Sequence, residues 1–92
     1  LKEKRDLLVN GLNKISGFKC SLPQGAFYVW CNIENTGYND LELVDILLEK
    51  AGVACLSGRY FGNNGKGFLR FCFASVTVYE IEEALEKISG LF

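Results

Sequence analysis

One arginine stands inside an otherwise apolar run, Gly67-Phe68-Leu69-Arg70-Phe71-Cys72-Phe73-Ala74. Its surroundings have the composition of a strand, and a strand sends alternate side chains to opposite faces. Leu69, Phe71 and Phe73 then share one face, and Phe68, Arg70, Cys72 and Ala74 the other. Removing a guanidinium from water without a partner is costly. The spacing therefore predicts an anionic group against Arg70. Two sources are open: an Asp or Glu of the chain itself, or the carboxylate of a bound small molecule.

Other chemistry is sparse. There is no histidine, so neither a Ser-His nor a Cys-His nucleophile can be assembled. The four cysteines, Cys20, Cys31, Cys55 and Cys72, include no C-x-x-C pair, and a conventional zinc site is not expected. Three of them lie in apolar, strand-like runs and read as buried, reduced thiols of a cytoplasmic protein. Glu80, Glu82, Glu83 and Glu86 have the spacing of a solvated helix face. The seven lysines lie mostly in polar segments, and none sits in an apolar run that would depress its pKa.

Two motifs are incomplete. Gly65-Lys66 suggests a phosphate-binding loop, but position 60 is Tyr rather than Gly, and position 67 is Gly rather than Ser or Thr. That loop also precedes a strand, so no helix N-terminus follows it to face a phosphate. Lys66-Gly67-Phe68 through Phe73 partly matches an RNA-recognition strand, yet Arg70 replaces the stacking aromatic and Leu69 the small residue. A net charge of −1 gives no electrostatic case for nucleic acid or an anionic membrane. No apolar run approaches the roughly 20 residues of a membrane span.

These residues must be positioned by a small scaffold. Ninety-two residues, 49% hydrophobic and 23% charged, suit one ordinary globular domain. Lys2 to Ile15 reads as a helix with Leu8, Leu12 and Ile15 on one face, stopped by Gly17. Pro23-Gln24-Gly25 is turn chemistry, and Ala26 to Ile33 is strand-like. Asn39 or Asp40 can cap a second helix that runs to about Ala51, with Val44, Leu47, Leu48 and Ala51 as its apolar stripe and Gly52 after its end. Val53 to Leu56 reads as a short strand. A loop with four glycines between Ser57 and Gly67 reads as a flexible connection to the arginine-bearing strand. Thr77-Val78-Tyr79-Glu80 has capping-box spacing and opens a last helix, with Ile81, Ala84, Leu85 and Ile88 inward and its end near Gly90.

The order helix, strand, helix, strand, strand, helix predicts an α+β two-layer sandwich, with helices on one face of a small, mostly antiparallel sheet. The helices need the Leu69, Phe71, Phe73 face. The Arg70 face is then left open, which an apolar surface of this kind does not favour. The chain also lacks methionine and begins at Leu1 inside its first helix. Both features suggest a piece of a longer protein whose remainder covers that face. The alternative is a free-standing binding module for RNA or a small ligand.

Taken together, Pro23-Gln24-Gly25-Ala26-Phe27-Tyr28, Ala51-Gly52-Val53-Ala54, Ser57-Gly58-Arg59-Tyr60-Phe61-Gly62 and Gly65-Lys66-Gly67-Phe68-Leu69-Arg70-Phe71 through Ala74 resemble the C-terminal small domain of class I/II aminotransferases. These are the fold-type I enzymes that use pyridoxal phosphate. The resemblance is nearer to the aspartate and aromatic group than to the histidinol-phosphate branch, and it covers nearly the whole chain. It implies that Arg70 binds the α-carboxylate of an amino acid, and that Phe27 either lines the substrate pocket or is core. Amino acids and 2-oxo acids are the implied substrates, and a homodimer the implied assembly. The lysine that anchors the cofactor and the residues that clamp it belong to the family's large domain, and no part of this chain matches them. Ser57 departs from the family, where proline is common before the glycine, and reads as added freedom before the loop.

Overall fold

The computed structural model describes residues 2–21 and 27–92. The predicted turn at Pro23-Gln24-Gly25 and the start of the predicted strand at Ala26 lie outside them. Helix α1 spans Lys2–Asn13 and buries Leu8, Val9 and Leu12. It ends two residues before Ile15, which is still buried. Asn13 stops helping the helix and turns to the sheet instead. Its side chain donates to the carbonyl of Cys20 at 2.9 Å and accepts from the Cys20 N–H at 2.6 Å.

That clamp explains a strand the sequence pattern missed. Strand β1 is only Lys19–Cys20. It pairs antiparallel with β2, Tyr28–Asn32, through Lys19↔Asn32 and Cys20↔Cys31. Two residues carry no readable alternation, and the Asn13 amide takes the place of a neighbouring strand on the outer edge. Helix α2, Asp40–Ala51, follows. Asn39, not Asp40, is its cap, in a reciprocal capping box with Glu42. Its buried stripe is Leu43, Leu47 and Ala51, with Asp40 at the end. The predicted stripe was rotated too far: Leu48 is 55% exposed.

Strand β3 is Leu56–Ser57, shifted from the expected Val53–Leu56, and β4 is Phe68–Cys72. Val53 to Cys55 pairs with no strand among the described residues. Helix α3, Val78–Ser89, is opened by the predicted capping box between Thr77 and Glu80. The sheet order is β1-β2-β4-β3 and every neighbouring pair is antiparallel. Val29, Cys31, Leu69 and Phe71 point to the helices and are buried with Leu12, Ile33, Leu43, Leu47, Phe73 and Ile88. The α+β two-layer sandwich expected from the sequence is what forms, its helices on one face of the sheet.

The glycine loop differs from expectation. It is two short 3-10 turns, Gly58–Phe61 and Asn63–Gly65, folded tightly together. A Cβ on Gly65 would collide with the Gly58 carbonyl oxygen, and one on Gly58 would lie 2.8 Å from the Trp30 ring. These two glycines serve close packing rather than flexibility. The loop therefore shelters part of the sheet face that the helices leave bare.

Candidate functional site

The outer face of the sheet is built by register. Trp30 pairs with Arg70, and Leu56 pairs with Arg70 from the other side. Tyr28 lies diagonally across, opposite Cys72. Diagonal neighbours on one face are within reach of long side chains. The Arg70 guanidinium carbon accordingly sits 4.7 Å from the centre of the Tyr28 ring. It is nearer still, 4.2 Å, to the centre of the Phe61 ring, delivered by the 3-10 turn. Phe61 in turn packs edge-on to Trp30 with ring centres 5.6 Å apart. A groove of about 340 Å³ runs beside this cluster, lined by Trp30, Phe61, Phe68, Asn64 and the loop glycines.

Of the two sources of an anion for Arg70, the local one is absent among the described residues. No carboxylate forms an ion pair with it, and its Nε is buried without a hydrogen-bond partner. A guanidinium held against aromatic faces, with no carboxylate of its own among the described residues, can receive a planar carboxylate through two parallel hydrogen bonds.

The one carboxylate buried among the described residues goes to a different arginine. Asp40 is 2% exposed, at the first position of α2. Arg59 grips it with both prongs, Nε to Oδ2 at 2.7 Å and Nη2 to Oδ1 at 2.8 Å. The Ser57 hydroxyl also donates to Oδ2, and the Ser57 oxygen accepts from the Arg59 N–H at 3.2 Å. Arg59 is the main cause that holds the Asp40 carboxyl far below the usual carboxylate range. Burial opposes this, and hydrogen bonds from Ser57 and from the backbone of Asp40 and Gly67 add to it. Ser57 does not loosen the loop, as its departure from the family suggested. It is pinned from both sides.

Sequence reasoning missed this Asp40–Ser57–Arg59 cluster. Asp40 and Arg59 are separated by a whole helix and a strand, and no short-range spacing links them. Phe27, the other expected site residue, is 51% exposed. Its carbonyl accepts from the Phe73 N–H at 3.0 Å, so it sits just before β2, three residues from Trp30 of the Trp30–Arg70 pair. Among the described residues, the rings recorded against the Arg70 guanidinium are those of Tyr28 and Phe61. All four cysteines are free. Cys20 and Cys31 are buried and Cys55 half-buried, but Cys72, on the open face, is exposed. Among the described residues no group of three His, Cys, Asp or Glu could hold a metal, and no helix is long and apolar enough to cross a membrane.

The family model of aminotransferase class I and II matches residues 1–88. The chain belongs to that family. It is 36% identical over 90 residues to an LL-diaminopimelate aminotransferase of Nitratidesulfovibrio vulgaris, covering 98% of this chain and 23% of the relative. It is 38% identical over 86 residues to an aspartate aminotransferase of Pyrococcus horikoshii, covering 94% of this chain and 22% of the relative. Among solved structures, an aromatic aminotransferase from Pyrococcus horikoshii superposes with a TM-score of 0.91 at 31% identity, over 98% of this chain and 24% of that one. An alanine aminotransferase from Pyrococcus furiosus also gives 0.91, at 36% identity, over 98% of this chain and 23% of that one. The chain thus spans less than a quarter of the length of each of these relatives.

The cofactor that the family implies, pyridoxal phosphate, does not fit the residues of this chain. Every one of the seven lysines is exposed or half-buried, so none offers the desolvated amine that a cofactor-anchoring lysine needs. The N-termini of α2 and α3 are closed by their own capping boxes and carry Asp40, Glu42 and Glu80 in their first turns. Those carboxylates repel a phosphate.

Proposed function

We propose that this chain is the C-terminal small domain of a pyridoxal-phosphate-dependent aminotransferase, and that Arg70 receives the α-carboxylate of its substrate. The whole enzyme moves an amino group between an amino acid and a 2-oxo acid. The observation that carries this reading is the state of the two arginines. Arg59 has taken the buried carboxylate, while Arg70 is held by Tyr28 and Phe61 with a buried Nε left open. Two-pronged binding fixes the orientation of an amino acid as well as its charge, and so sets the bond to be broken relative to the cofactor. Family membership favours this enzyme reading over a free-standing binding module.

The remainder follows from the same reading. The cofactor is held by a large domain, which also covers the open face around Phe68 and Cys72. Phe27, half exposed, is free to line the substrate pocket. The enzyme is a cytoplasmic homodimer, and closure of this domain over substrate shields the reaction from water.

Expressing the full-length polypeptide beside the 92-residue chain tests the proposal. Amino transfer from amino acids to 2-oxo acids should require added pyridoxal phosphate and the full-length polypeptide. The short chain should show no transfer and no saturable cofactor absorbance. A stoichiometric cofactor band in the short chain, abolished by changing one lysine, would overturn the division of labour.

A further inference from the structure

The turn that brings Phe61 to Arg70 packs its first residue, Gly58, against Gly65 and Trp30, and sets the Phe61 ring edge-on to Trp30. Of its four residues, Gly58 to Phe61, only Gly58 is buried. Phe61 itself is 46% exposed, so core packing does not fix its ring. The polar tie on the turn is the Asp40 carboxylate, reached by the Arg59 fork and by the Ser57 hydroxyl at the base of the turn. One buried carboxylate thereby joins the start of α2, the end of β3 and the Phe61 turn.

We propose that Arg59, anchored on Asp40, is a positioning residue that aims the Arg70 guanidinium through Phe61. This rests on the reading of Arg70 as the carboxylate receiver. Arg59 is two residues before Phe61, and the Phe61 ring lies 4.2 Å from the Arg70 guanidinium carbon. Removing the Arg59–Asp40 fork lets the turn move, and the face against which Arg70 rests moves with it. A two-pronged carboxylate contact tolerates little tilt, and a misplacement of about 1 Å can cost on the order of a hundredfold. Arg59 therefore supports carboxylate recognition without touching the substrate. A lysine cannot replace it, because a single ammonium has no fork to match both Asp40 oxygens.

The test uses the full-length enzyme proposed above, with Arg59→Lys, Arg59→Gln and Arg70→Ala singly and each Arg59 change combined with Arg70→Ala. The substrates are an amino acid and the amine that lacks only its carboxylate. Arg59→Lys should lower kcat/KM for the amino acid by about ten- to a hundredfold, mostly through KM, and leave the amine within a factor of about two. In the Arg70→Ala background the Arg59 changes should have no further effect on the amino acid, because the group they aim is gone. Thermal melting of each variant identifies any that do not fold, and Arg59→Lys, the gentlest change, then decides. If Arg70→Ala is selective for the amino acid but the Arg59 variants slow both substrates alike, or add their full effect to Arg70→Ala, the positioning role is wrong and the carboxylate reading stands. If Arg70→Ala slows both substrates equally, the carboxylate reading falls, and the positioning role with it.

Discussion

Replacing Arg70 by Met should change the stability of the 92-residue chain only slightly, more often upward than downward. Methionine keeps an unbranched stem of similar reach against Tyr28 and Phe61 and removes the charge. The buried, unpartnered Nε imposes a desolvation cost of about 1–3 kcal/mol that the substitution relieves. Two ring contacts, at 4.7 and 4.2 Å, are lost. At about 0.5–1 kcal/mol each they offset about 1–2 kcal/mol of that relief. The balance runs from about −1 to +2 kcal/mol, centred slightly on the stabilising side. For a domain of this size 1 kcal/mol moves the melting temperature by about 4–8 °C. Thermal melting followed by circular dichroism should then show a change between a small loss and a rise of roughly 10 °C. An arginine in a buried ion pair would behave differently, losing about 3–5 kcal/mol when removed. A fall well beyond 10 °C would therefore refute the claim that Arg70 has no carboxylate partner among the described residues.

Two further outcomes follow from the cluster beside it. Because the Asp40 carboxyl is held low by Arg59, its contribution to stability is fully present above the ordinary carboxylate pKa of about 4 and is lost as pH falls through the depressed folded value. Acid titration of the melting temperature should show a shallower decline below pH 4 for Asp40→Asn than for the parent chain, and coincident acid limbs would contradict this. Gly65→Ala places a Cβ against the Gly58 carbonyl, which cannot yield as a side chain could. The turn should spring away from Trp30, and since Trp30 is the chain's single tryptophan its emission should shift to the red; an unchanged spectrum in a folded variant would refute the packing role given to that glycine.

The fold was legible wherever a local rule repeats over several residues. The faces of β4 followed from simple alternation, and Leu69, Phe71 and Phe73 are buried as that alternation demands. The cap at Thr77 followed from a three-residue spacing. What escaped was short or long-range. Strand β1 has two residues and depends on the amide of Asn13. Strand β3 moved toward Ser57, where the buried Asp40 draws the chain in. Glycines read as flexible at positions 58 and 65 turned out to be close-packed, because glycine permits both and composition does not distinguish them. Arg70 was legible as an arginine needing an anion. That Asp40 is already taken by Arg59 was not, since nothing along the chain connects positions 40 and 59.

The most direct test of the central claim compares Arg70→Lys and Arg70→Ala in the full-length enzyme, acting on an amino acid and on its decarboxylated amine. Lysine keeps the charge and loses the fork; alanine loses both. For the amino acid, kcat/KM should fall in both variants, more in Arg70→Ala, by roughly two to four decades. The amine, which never used the guanidinium, should be nearly indifferent. Equal losses for the two substrates would mean that Arg70 serves the fold rather than the substrate carboxylate.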